Sequence, residues 1–235
     1  MFVRLVPAFS IFITGSLALA VAGVAAGGGL GPGNYTFTNR SAEVFFGMGG
    51  KGGPGGPSWQ VSVFQGLNSF KPTHPGVGPS TVSQSTVVYV TEFDGLGNGG
   101  FGCFVVPDNT FVVNRDLSAS LHATLTEGEI CGGYASPIDG GKGGVDGGGS
   151  GGLVLPVSVD ITWSPTGAVN NYKNVFQFKC LSYSEDGNST YSTVTAGATG
   201  SISPLSGSFN SEFADVSSGS GQLGVHSLPL AACNP

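Results

Sequence analysis

Glu92 and Asp94, two positions apart near the end of a β-rich run, are the carboxylates best spaced to act together. Strand alternation puts residues i and i+2 on one face. Paired acids on one face could flank a glycosidic bond or supply part of a calcium shell. Tyr89 shares its parity with Thr91 and Phe93, so it points to the other face and offers the pair no stacking surface. A solvated strand end ahead of DGLGNGG is the plainer account. Glu92 and Asp94 stay as candidate ligand or calcium residues.

Other chemistry-bearing patterns fail on context. Ser150 fits G-x-S-x-G, but a nucleophile elbow needs a strand before it and a helix after it, and Ser150 lies in a glycine tract. Lys51 and Lys142 follow glycine but are themselves followed by glycine, whereas a phosphate loop needs Ser or Thr there. His74, His122 and His226 share no metal or triad spacing and read as three unrelated surface residues. The sequence implies no cofactor and no catalytic set.

Four cysteines remain: Cys103, Cys131, Cys180 and Cys233. Their spacing lacks the close pairs of zinc sites. An even count in an exported chain suggests two disulfides. Three connectivities exist, and local pairing of Cys103 with Cys131 and Cys180 with Cys233 is favoured by the glycine tract between the pairs.

Export is expected from residues 1–26. Arg4 precedes an apolar run, and Val24 and Ala26 occupy the minus-three and minus-one positions of a cut before Gly27. That is the order of a secretory signal. An uncleaved anchor is the alternative, since the run is just long enough to span lipid. After cleavage no membrane span is expected, and the protein should be extracellular. Scattered single cations and a formal charge of −6 exclude nucleic-acid binding. A cell-surface or extracellular glycan or protein is the expected kind of partner.

The elements that must position any site are strands. The chain has 42 glycines among 235 residues and only 9% charged residues. After a glycine-rich leader at 27–33, short segments alternate apolar and polar residues. Candidate strands are Tyr35–Phe46, Trp59–Phe64, Ser85–Asp94, Phe101–Val113 with a hairpin turn at Pro107–Asn109, and Leu117–Thr126. Beyond residues 138–152, whose nine glycines read as a loop or linker, come Val154–Trp163, Asn174–Tyr183, Ser189–Ala196, Ser208–Val216 and Gly221–Ser227. Residues Glu185–Asn188 read as a turn. No window of helical periodicity appears after residue 26.

The expected fold is an all-β antiparallel sandwich of about ten strands over residues 34–235, with two small β domains split at 138–152 as the alternative. Trp59 and Trp163 stand in phase with apolar neighbours and so belong to the core. The expected function is a secreted, non-catalytic module for surface structure or weak ligand binding. The rival is a carbohydrate-binding or carbohydrate-active domain.

Overall fold

The computed structural model describes residues 32–47, 58–73, 79–93, 101–126, 156–180, 183–204 and 206–227. The ten strands are β1 (Gly33–Gly47), β2 (Ser58–Pro72), β3 (Thr81–Phe93), β4 (Phe101–Val106), β5 (Phe111–Val113), β6 (Ala119–Leu125), β7 (Val157–Pro165), β8 (Asn170–Cys180), β9 (Tyr183–Ser203) and β10 (Ser206–Ser227). No α-helix occurs among the described residues, and hence no helix long and apolar enough to cross a membrane.

The all-β antiparallel class is as the alternation demands. All ten strands join one sheet, ordered β4-β3-β2-β1-β10-β9-β7-β6-β5, with β8 also on β9. The sheet curls into a half-barrel. Most pairs join sequence neighbours; the exceptions are β7 with β9 and β1 with β10, the latter joining the first and last strands mid-sheet. β7 and β8 lie end to end along one edge of β9, facing Ala196–Ser203 and Tyr183–Thr193 respectively. At their junction the amides of Thr166 and Gly167 both reach Thr195 O.

The curl encloses one apolar core. Val44, Val61, Val88, Phe104, Leu121, Ile161, Trp163 and Val194 are essentially inaccessible. Leu121 and Val159 point inward, while His122 and Asp160 point out, as period-two alternation requires. Trp163 Nε1 donates to Glu43 O at 2.9 Å, bridging β7 to β1 across the core.

Several expected elements are redrawn. Residues 107–109 do not turn a hairpin: β4 pairs with β3, β5 pairs with β6, and a 3-10 turn at Asp108–Thr110 carries the chain between them. Leu117 leaves the strand, taking φ 63° in the tight turn that joins Asn114 to Ser118. Glu185–Asn188, expected as a turn, is strand in β9, held on one side by β8 and on the other by β10. The segments Ser208–Val216 and Gly221–Ser227 are one strand. Gly221 in it serves close packing: a Cβ there would strike the Phe37 ring and stand 2.5 Å from Asn188 O.

Candidate functional site

Strand β1 changes its apolar phase partway along. Ala42, Val44 and Phe46 are buried on the core face, but Gly33 and Phe37 are buried on the opposite face. The register with β2 and β10 runs through without a slip. The switch therefore lies in the sequence: the apolar residues move from odd to even positions near residue 40. Leu223 and Val225 of β10 are buried with that second phase, outside the main core.

The consequence is a polar surface. Along β3, β2, β1, β10, β9 and β8, the face that carries the core continues as rows of neutral polar groups. One row reads Thr86, Gln65, Arg40, Ser218, Ser192, Asn171; the next reads Gln84, Leu67, Thr38, Ser220, Thr190, Lys173; a third reads Val82, Ser69, Thr36, Gln222, Asn188, Val175. Hydroxyls and carboxamides dominate, and Arg40 and Lys173 are the cations of these rows. Thr38, Ser218, Ser220, Thr190, Ser192, Asn171 and Lys173 line an open depression of about 450 Å³.

The buried end of the first row, Thr86 and Gln65, forms a hydrogen-bonded plug between the exposed rows and the core. Gln65 Nε2 donates to Thr86 Oγ1 at 3.0 Å and to Asp108 O at 2.8 Å. Thr86 Oγ1 donates to Asp108 Oδ1 at 2.8 Å, and Arg40 Nη1 reaches Gln65 Oε1 at 3.4 Å. Gln65 and Thr86 are buried, so these bonds satisfy groups that would otherwise be costly to bury. They also tie β2 and β3 to the 3-10 turn, where the two walls of the curl approach.

On the opposite face, Tyr172 and Tyr191 stack across β8 and β9 with centroids 4.7 Å apart and planes 15° apart. Farther along that face, Glu43 of β1 and Asp215 of β10 stand directly opposite each other. Gln60 Nε2 donates to Glu43 Oε1. Burial raises Glu43, and its bond from Gln60 acts the other way. Burial, then the Glu43 charge, pushes Asp215 up to about 7. No ion pair joins either acid to a cation among the described residues. Near neutral pH Asp215 therefore still holds its proton in part.

The residues singled out from sequence do not converge. Glu92 sits half-buried beside Trp59 on the core-bearing face at the end of β3, while Asp94 lies outside the described residues. Tyr89 is on the other face, where it meets Phe64 edge to face at 5.8 Å. Trp59 and Trp163 are buried and so offer no sugar platform. Two of the histidines are not isolated: His122 Nδ1 lies 3.0 Å from Asp160 and His226 Nε2 lies 2.6 Å from Asp186, both pairs in the open. Cross-strand register makes these contacts, and in-chain spacing could not show them.

Cys103 is disulfide-bonded. Cys131, Cys233 and the side chain of Cys180 lie outside the described residues, as do residues 1–26, His74, Lys51, Lys142, Ser150 and the tract 138–152. The described residues hold no group of three or more metal-ligating side chains. The chain matches no protein-family model, and no curated protein matches its sequence.

Proposed function

We propose that the protein is an exported, non-catalytic binding module whose polar sheet face holds a polyhydroxylated ligand, a glycan chain. The single observation behind this is the set of rows from β3 to β8, where neutral hydroxyl and amide groups repeat with the strand spacing. Such groups exchange hydrogen bonds with sugar hydroxyls one for one, and each exchange yields little net energy. Affinity is therefore weak per site and rises with ligand length through repeated contacts. In this reading the curled sheet serves as a sandwich scaffold, with β1–β4 and β5–β7 as its two layers, and residues 1–26 deliver it outside the cell.

A glycan and polysaccharide binding screen, run with and without calcium, tests the proposal. Retention by a neutral polysaccharide should fall in Thr38→Val and Thr190→Val and persist in Ser189→Ala, which alters the other face. Failure of every glycan to bind would overturn it. The rival reading, a carbohydrate-active enzyme, is favoured by the Glu43–Asp215 pair, because one acid held protonated near neutrality beside a second is the arrangement acid catalysis requires. Glycan hydrolysis that is lost in Asp215→Asn would replace binding with catalysis.

A further inference from the structure

Among the described residues, the polar face ends at two open strand edges. On one side, β4 pairs with Thr86–Thr91, which leaves Thr81–Ser85 of β3 without a strand partner on that edge among the described residues. On the other side, β8 has β9 as its strand partner. Residues 81–85 and 170–175 are all exposed, with Val82 at 71% and Val175 at 78%. Open edges of this kind template further strands. Natural edges are guarded by charges, prolines or bulges. Here Thr81–Ser85 carries none of these, and β8 offers Lys173 alone over residues 170–175.

From these edges we infer that the protein assembles with further copies of itself by adding the β3 edge of one copy to the β8 edge of the next. Three observations fit a second copy as the occupant. The six strands from β3 to β8 alternate in direction, so the two edges run antiparallel to each other. A copy rotated and shifted to follow the curl and twist of the sheet would then continue the antiparallel ladder. Val82 and Val175 are the two ends of one row on one face, so continuing that row into the next copy places the exposed valine of each copy opposite that of its neighbour. The same register sets Gln84 against Lys173 and Ser85 against Tyr172, and no like charges meet.

The contact is heterologous, so it leads to open filaments unless the rotation between copies closes a ring. Five facing residues bury little area, which makes each junction weak and the assembly concentration-dependent. This inference is independent of the glycan proposal, since it uses the sheet's edges and not its polar face.

Sedimentation velocity of the purified protein over a range of concentrations provides the test. The wild-type chain should form a ladder of species that grows with concentration. Val82→Glu and Val175→Lys, both at exposed positions, should each melt like wild type yet associate about tenfold or more weakly, because a lone charge would be buried against valine. Mixing the two variants should restore assembly, since the introduced glutamate meets the introduced lysine at one junction and valine meets valine at the other. A wild-type chain that stays monomeric throughout, or variants that assemble as well as wild type, would overturn the inference. So would a double variant, Val82→Cys with Val175→Cys, whose two new thiols link within one chain, because that would mean the edges close on themselves.

Discussion

Replacing Asp215 with asparagine should make the protein more stable at pH 8 and leave it nearly unchanged at pH 4. Folded Asp215 is raised from 3.8 to about 7 by burial and by Glu43 opposite. Between about pH 4 and pH 7 the folded state therefore keeps a proton that the unfolded chain has lost. A state that binds more protons loses relative stability as pH rises. The contribution is fully present below the unfolded value and gone above about pH 7. At about 1.4 kcal/mol for each pH unit, the penalty is bounded near 4 kcal/mol. Asp215 is only half-buried, and solvent screening cuts the expected value to about 1–2 kcal/mol. The assay is chemical denaturation of wild type and Asp215→Asn at both pH values. Taking the difference between pH values cancels any effect of exchanging acid for amide. An Asp215→Asn variant that gains nothing on going from pH 4 to pH 8 would refute the reasoning. Glu43→Gln should also lower the Asp215 titration midpoint, measured by NMR, because it removes the second cause of the shift.

Leu121→Ala should cost about 2–5 kcal/mol through lost burial and a cavity, and His122→Ala should cost about 0.5 kcal/mol or less; thermal melts of both variants check this. If the halves fold as one unit, Leu121→Ala shifts a single transition, whereas two transitions with only one shifted would mean two domains. Gly221→Ala should destabilise the protein measurably in the same melts, since the new Cβ meets the Phe37 ring and Asn188 O. Non-reduced peptide mapping should link Cys103 to Cys131 and Cys180 to Cys233; a Cys103–Cys233 link would reject that pairing. N-terminal sequencing of secreted protein should begin near Gly27, and full-length chain recovered in the membrane fraction would count against export by cleavage.

Local alternation by itself marked most of the strands and showed which faces of β6 and β7 are dry. Leu121 and Ile161 are buried and His122 and Asp160 exposed because a strand's side chains alternate whatever it pairs with. The same logic placed both tryptophans in the core. Even the phase switch in β1 is written in the spacing of Tyr35 and Phe37 against Ala42, Val44 and Phe46. Its meaning depends on which neighbours share the switch, and those are not legible in β1 itself. Tertiary structure alone decided the rest. Residues Glu185–Asn188 carry the composition of a turn, yet two flanking strands supply the hydrogen bonds that keep that segment extended. The Glu43–Asp215 pair, the His–Asp contacts, the polar rows and the open edges all arise from register between strands far apart in the chain. Hydrogen-bond pairing fixes that register, and a pairing partner leaves no local mark in the sequence of either strand.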